Sequence, residues 1–392
     1  MSKQSYSDLL HIRFHDLLIS YDFARNHNGL DLNFDEEIEL DGDPQARELL
    51  EVEQQAKLER DNAEQTKIQN QAQQSVILNQ TVAQLVSEKL QDTTFIFNEV
   101  LQIQDAIPTI LDILSVRAAS IGRIDPLVSN LPWLSLDLIK LVNLPVYRKQ
   151  VHGEKPIRVD RSKTALSYIG LDNLKMVIPS FALRKWIPHS TEPFRLMKRK
   201  LWESSLGAGI ACKRLAQMYD QDPGVAFALG AFHDLGKSAI ARLYLHTFDT
   251  EWKRQLKAAR DQRQKSLHDA LVDLEPDPNT LRDLMLAHSA DLSVRLVECF
   301  KLKRLNLASP LRAYVHGDSD DSHGANASHV AMVQILQKGI CYARYKILQR
   351  HGLIAKHEAK IFFKENGLSS SDVVQLNKLS LVRLNLRLVQ QD

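Results

Sequence analysis

The sequence predicts an all-α protein, and three observations lead to this. Alternation of apolar and polar residues, which is typical of strands, is hard to find anywhere in the 392 residues, whereas apolar residues recur at helical spacing. Pro and Gly separate segments rather than repeat. From Pro44 to about Leu90 the chain is rich in Gln, Glu, Ala, Lys and Leu and holds no Gly and no further Pro. We therefore expect a multi-helix domain with an N-terminal helical extension.

The overall composition excludes several classes of protein. The chain is 44% hydrophobic and 25% charged, as in ordinary soluble proteins. Its 50 basic and 48 acidic residues give a net charge of +2, which predicts no general attraction to nucleic acid or to an anionic membrane. No apolar run approaches the roughly 20 residues that span a bilayer. We expect a cytoplasmic protein that does not bind membranes, with Cys212, Cys299 and Cys341 as free thiols.

The N-terminal extension combines an acidic segment with a long helix. Asp31 to Glu53 holds ten acidic residues and one basic residue. The helix that follows has apolar residues too irregularly spaced for a coiled coil. We expect an exposed connector, or an arm that docks regulatory proteins or joins two copies as a homodimer.

The central region reads as a succession of short helices. We expect one apolar helix over Leu134 to Val142 and one further helix on each side of Gly170. The helix after Gly170 is expected to be interrupted by Pro179. The triplet Gly207-Ala208-Gly209 lies in a helix with small residues along one side, which indicates close helix packing. Asp318 to His329 is expected to be a surface loop.

The C-terminal region continues the helical pattern. A helix should follow His329, and two or three short ones should occupy Lys356 to Gln391, with Ser369 to Asp372 as a helix cap.

An adjacent His233 and Asp234 stand out in the stretch LGAFHDLGKSA. Asp222 and Pro223 are a good helix start, and Gly236 is placed to end that helix. The pair should therefore lie in the last turn of a buried helix, where the carbonyl ends favour a cation.

A histidine nitrogen and a carboxylate oxygen are ligands for Zn, Mn or Fe rather than Ca. The best further ligands are His288 and His316, each after an apolar helical run, so one divalent transition metal is the most that we expect. A salt bridge from Lys237 to Asp234 is the alternative that needs no metal.

A second group of residues could bind a ligand through charge. Basic residues lie beside aromatic residues between positions 184 and 202, which is a pattern that can hold phosphates and stack bases. Because the whole chain is nearly neutral, we favour a solvated basic face over a nucleotide or RNA site. The basic residues are Arg184, Lys185, Arg195, Lys198, Arg199 and Lys200, and the aromatic ones are Trp186, Phe194 and Trp202.

An ordered series of motifs resembles the HDOD domain, a relative of the HD-superfamily hydrolases found in bacterial signalling proteins. The likeness covers about Leu101 to His316. The motifs are AIPTILDIL, LDLIKLVNLPVY, ALSYIGLDNLKMVI, LWESSLGAGIACKRLA, ALGAFHDLGKSAI, AHSADLSVRLVECFKL and PLRAYVH. The resemblance implies an HD-like fold of three parts: an extension over 1–92, the domain over 93–330, and C-terminal helices over 331–392 packed on it.

The departures from the family pattern concern the metal. The resemblance implies an early histidine ligand where this chain has Ser204, and a late aspartate in the helix from Gln334 to Tyr345, which holds no acid and has Cys341 near the expected place. The resemblance therefore implies a regulatory module that binds proteins and is not an enzyme. The alternatives are a metal-dependent phosphohydrolase of nucleotides or cyclic dinucleotides, and a nucleotide- or RNA-binding regulator.

Overall fold

The computed structural model describes residues 6–27, 51–147, 158–317, 327–384 and 386. Every regular element in these ranges is helical and none is a strand, so the prediction of an all-α fold is confirmed. None of the helices in this part of the chain is long and apolar enough to cross a bilayer. The helices in chain order are α1 Tyr6–Ile19, α2 Tyr21–His27, α3 Glu51–Lys89, α4 Thr93–Phe95 with a π-helical turn Ile96–Val100, α5 Ala106–Leu114, α6 Ile121–Ser129, α7 Pro132–Val142, α8 Ser162–Ile169, α9 Leu171–Trp186, α10 Met197–Met218, α11 Pro223–Phe232, α12 Leu235–Asp261, α13 Lys265–Leu271, α14 Pro278–Glu298, α15 Ala308–His316, α16 Ala327–Arg350, α17 Lys356–Glu365 and α18 Ser370–Leu376.

The long helix α3 has two different halves. Its C-terminal half packs on α12, α13 and α14 through Leu78, Val82 and Val86, which are fully buried. Its N-terminal half is exposed, and the side chains of Leu58 and Ile68 there are 62% and 58% exposed. The predicted acidic segment lies mostly in 28–50, outside the described residues.

The centre of the fold is α10, which packs against α11 and α16. Small residues allow the close approach that the sequence predicts. A Cβ added to Gly209 would lie 3.0 Å from the Phe227 carbonyl oxygen, and one added to Gly230 would lie 2.7 Å from the Ala208 carbonyl oxygen. The helix backbones therefore meet almost directly, which holds α11 against α10.

Both predicted helix caps are present. The Asp222 carboxylate accepts hydrogen bonds from the backbone N–H groups of Gly224 at 2.7 Å and Val225 at 2.9 Å, so that α11 begins where expected. The Ser369 hydroxyl accepts from the N–H of Asp372 at 3.1 Å and starts α18.

Pro179 does not interrupt its helix, contrary to the prediction. α9 runs from Leu171 through Trp186 with Pro179 inside it. A proline there removes one backbone hydrogen bond. The flanking Val177, Ile178 and Leu183 are fully buried, and packing of α9 against α11 and α5 holds the helix together.

The position of Gly236 also differs from the prediction. α11 ends at Phe232 and α12 begins at Leu235, so Gly236 is the second residue of α12 and ends nothing. The glycine is needed because α12 and α14 approach closely there. A Cβ on Gly236 would lie 2.2 Å from the Ser289 carbonyl oxygen.

The helix junction changes the electrostatics expected for Asp234. The residue lies at the N-terminal end of α12, where the backbone carries partial positive charge, rather than in the last turn of α11. This end of a helix stabilises a carboxylate and disfavours a cation.

Candidate functional site

His233 and Asp234 are buried side by side, with 4% and 7% of each residue exposed. The Nδ1 of His233 lies 2.7 Å from the carbonyl oxygen of Gly230. Since a carbonyl only accepts, Nδ1 donates this hydrogen bond. The other ring nitrogen, Nε2, faces Oδ2 of Asp234 at 3.2 Å.

The other carboxylate oxygen of Asp234 lies between two cations. Its Oδ1 is 2.8 Å from Nζ of Lys237 and 3.8 Å from Nη2 of Arg344. Lys237, one turn into α12, is only 1% exposed. The salt bridge to Lys237 that the sequence offered as an alternative to a metal is therefore formed, and Arg344 adds a second positive charge.

These charges decide the protonation of the buried pair. Burial opposes ionisation of Asp234, but the neighbouring His233, Lys237 and Arg344 outweigh it and hold the pKa of Asp234 well below its ordinary value. Burial lowers the pKa of Lys237 to about 8, although Asp234 favours its charged form. At neutral pH the site therefore contains a buried carboxylate–ammonium pair.

Helix α1 covers this site, which the sequence did not reveal. The ring of Phe14 is fully buried, with Nζ of Lys237 5.1 Å and Cζ of Arg344 5.4 Å from its centre. Nδ1 of His11 lies 2.9 Å from Nη1 of Arg344 and accepts its hydrogen bond. The ring of His15 lies 4.4 Å from that of His11. The four-residue spacing of these histidines was the available signal, because it places both on one helix face.

Both histidines of α1 are held neutral. Burial, together with the charges of Arg344 and Lys237, lowers the pKa of His11 to about 2. Burial also lowers the pKa of His15 well below its usual value, with Lys237 contributing. A proton on either ring would lie next to two existing positive charges.

We expect stability to fall as the solution becomes acidic below pH 6.5. Above that pH these histidines are neutral in both states, so they add no pH dependence. Below it the unfolded chain binds protons that the folded chain excludes, which removes up to about 1.4 kcal/mol per pH unit for each histidine. Urea unfolding at pH 7.5, 6.5 and 5.5 would measure this slope. The double variant His11→Gln/His15→Gln should flatten it, and an unchanged slope in that variant would contradict the assignment.

The two other predicted metal ligands do not join the pair. His288 is half-buried on α14. His316, at the end of α15, is exposed, and its Nε2 lies 3.5 Å from Oδ1 of Asp291. Within the described ranges, no three His, Cys, Asp or Glu side chains form a group that could hold a metal ion.

The residues at the pair do not fit the metal that the family resemblance implies. A protein metal site of this kind uses three or four protein ligands, and here only His233 Nε2 and Asp234 Oδ2 converge. Ser204 is buried where an early histidine is implied. Arg344, one turn after Cys341, places a guanidinium near the carboxylate where the implied late aspartate would add negative charge.

The predicted basic cluster separates into two groups. Arg184 pairs with Asp137 at 2.5 Å, and Glu203 pairs with Arg199 at 2.8 Å and with Lys200 at 2.9 Å. Lys185 and Lys198 have no carboxylate partner in the part of the chain that the structure describes. The aromatic residues of the cluster lie in or against the core, with Trp186 1% and Phe194 6% exposed and Trp202 partly buried.

Residues 101–273 match the HDOD domain. Solved structures with a similar chain include an HDOD domain protein of unknown function from Geobacter sulfurreducens, with 17% identity, a TM-score of 0.45, and coverage of 76% of this chain and 94% of that one. Another, from Shewanella amazonensis SB2B, is called "Putative phosphohydrolase", with 16% identity, a TM-score of 0.38, and coverage of 74% and 97%.

A third similar structure, from Marinobacter aquaeolei VT8, is called "Putative signal transduction protein", with 16% identity, a TM-score of 0.42, and coverage of 76% and 63%. No curated protein matches the chain. At these TM-scores the likenesses say nothing about what this chain binds or catalyses. The matched residues begin where the sequence motifs do, and the helical architecture agrees with an HD-like fold. The chain therefore contains an HDOD domain over residues 101–273.

Proposed function

We propose that this chain is a regulatory protein of signal transduction whose HDOD domain binds partner proteins and does not hydrolyse phosphoesters. The observation that carries this proposal is the pairing of Asp234 with Lys237 and Arg344 inside the protein. Phosphoester hydrolysis by a metal-bound hydroxide needs the carboxylate as a ligand. Here its negative charge is already balanced, and α1 lies over the same side chains.

One observation favours the alternative, a metal-dependent phosphohydrolase of nucleotides or cyclic dinucleotides. Nε2 of His233 and Oδ2 of Asp234 are buried 3.2 Å apart, and among the described residues neither has a hydrogen-bond partner other than the other atom. Both atoms could contact one ion. The positive charges of Lys237 and Arg344 near that position oppose a second cation, which is why we place this function second.

Hydrolysis assays separate the two functions. The purified 392-residue chain would be incubated with p-nitrophenyl phosphate, nucleotides and cyclic dinucleotides, with and without added Mn²⁺. The regulatory proposal expects no turnover above that of buffer with Mn²⁺. Metal-dependent turnover that is lost in His233→Gln would support the hydrolase. Circular dichroism of that variant would establish that the fold persists.

The N-terminal half of α3 is the surface that we propose for partner binding. Its described side chains are exposed, including Leu58 and Ile68, whereas the C-terminal half anchors the helix to α12, α13 and α14. At 1.5 Å per residue, the exposed half is roughly 28 Å long. A helix held at one end offers a partner protein, or a second copy of the chain, a long accessible face.

Deleting residues 52–69 tests this role without disturbing the anchored half. The deletion removes five helical turns and leaves Leu78, Val82 and Val86 in place. We expect a partner recovered in stoichiometric amounts with the full chain to be lost with the deleted chain. Sedimentation of both chains would show whether that partner is a second copy. Equal recovery of the partner and an equal number of copies per particle would rule out the arm.

A further inference from the structure

A cleft of about 360 Å³ opens beside residues 101–102, the segment 185–190 and α12. None of the residues that line it belongs to the Asp234 site. Its polar lining consists of Gln102, Lys185, His189, Ser190, Arg242 and His246. This volume is in the range of small-molecule sites.

The cations of this cleft lack counter-charges. The neighbouring Arg184 is neutralised by Asp137. In contrast, Lys185 and Arg242 in the lining, and Lys198 beside it, have no carboxylate within 4 Å among the residues that the structure describes. Two positive charges therefore line the cleft and a third lies beside it, and the lining contains no carboxylate.

Two of these cations are held in place by backbone carbonyls. Arg242 donates from Nη1 to the Val100 carbonyl at 2.9 Å, and from Nη2 to the carbonyls of Lys185 and Ile187, both at 3.3 Å. Lys198 donates from Nζ to the carbonyl of His189 at 2.6 Å. Carbonyls orient a cation and do not cancel its charge, so the positive field is fixed before any ligand arrives.

The pKa of His189 responds to this positive field. Burial lowers its pKa, and every charged group that acts on it, namely Lys185, Lys198 and Arg242, lowers it further. No carboxylate acts in the opposite direction. The imidazole therefore lies in a surrounding that disfavours any additional positive charge and favours a negative one.

We propose that this cleft binds a phosphate dianion, either free or as the monoester of a small molecule. Ammonium and guanidinium groups are the usual phosphate partners in proteins, and Ser190 and Gln102 supply neutral donors beside them. The apolar side chains of Leu101, Pro188 and Leu245 form the remaining wall, against which the organic part of a monoester would pack.

Calorimetric titration of the 392-residue chain tests the proposal with three probes: inorganic phosphate, adenosine monophosphate and adenosine. Lys185→Gln is the test variant. Arg184→Gln is its matched control, because it removes the same charge from the adjacent residue while that charge is committed to Asp137. Since charged hydrogen bonds are strong, Lys185→Gln should weaken phosphate binding about tenfold or more, and Arg184→Gln should change it less than about twofold.

Binding of phosphate, of adenosine monophosphate, or of both, with no binding of adenosine, supports the proposal and identifies the source of the phosphate group. An upward shift of the His189 pKa in NMR titrations with the bound probe places the anion in this cleft. No binding of either phosphate probe up to about 10 mM, or equal losses in the two variants, overturns it. Binding of adenosine as tight as that of adenosine monophosphate also overturns it. The proposal is also overturned if single-stranded RNA binds far more tightly than both phosphate probes and its affinity depends steeply on salt concentration.

Discussion

Replacing Asp234 with alanine is expected to lower the free energy of unfolding by about 3–5 kcal/mol. The substitution removes the negative charge that lies 2.8 Å from Lys237 and 3.8 Å from Arg344. Lys237 is almost completely buried, so water cannot replace the lost partner. Without Asp234, burial and the nearby Arg344 both oppose the charged form of Lys237, so the buried ammonium must lose its proton or remain unpaired, and either costs stability.

Urea unfolding of the variant at pH 7.5 measures this loss. The control is Asp291→Ala, which removes a half-exposed carboxylate paired with Arg295 and should cost less than about 1 kcal/mol. In Asp234→Ala/Lys237→Met the buried ammonium is also gone, and much of the stability should return. A loss for Asp234→Ala no larger than that for Asp291→Ala would contradict the role given to this pair.

Gly236→Ala is expected to lower the free energy of unfolding by about 3 kcal/mol or more, or to prevent folding. The new methyl group would lie 2.2 Å from the Ser289 carbonyl oxygen and 3.0 Å from the Ser293 backbone nitrogen. Both are backbone atoms of α14 and cannot rotate away. Relieving this clash would require α12 and α14 to separate. The N–H of Gly236 would then lose its hydrogen bond to the Ser293 hydroxyl.

Gly122→Ala provides the matched control for this effect. Gly122 also lies near the start of a helix, but an added Cβ there would meet nothing within 4 Å. We expect the free energy of unfolding of Gly122→Ala to stay the same or to rise by up to about 1 kcal/mol. Thermal or urea unfolding of both variants would decide. Equal tolerance of the two substitutions would show that the helices are not in such close contact.

Local sequence signals located the helices but not their mutual contacts. Asp222 and Ser369 mark helix starts through bonds within three residues, so they could be identified from the sequence. His11 and Arg344, in contrast, are 333 residues apart, and no local pattern brings them together. The role of α1 at the Asp234 site therefore became visible only in three dimensions.

Gly236 illustrates a second limit of prediction from local sequence. A glycine after a buried helix is a common helix end, and the sequence offered no way to distinguish that role from a close contact with α14. The metal prediction had the same weakness. His288 and His316 follow apolar runs as ligands can, but the direction of each side chain depends on helix packing.

The departures from the family pattern lead to a prediction about metal binding. Ser204 and the acid-free helix around Cys341 predicted that an HD metal site would lack ligands. The structure adds the reason that the carboxylate of Asp234 can still be buried: Arg344, on that same helix, supplies a positive charge.

The metal content of the untagged 392-residue chain, measured by plasma mass spectrometry, tests whether the charge of Asp234 is balanced by protein cations or by a metal. Balance by Lys237 and Arg344 predicts far less than one Zn, Mn or Fe per chain, with the same content in His233→Gln. One tightly bound metal per chain that disappears in His233→Gln would contradict it, and the site would then be a metal centre.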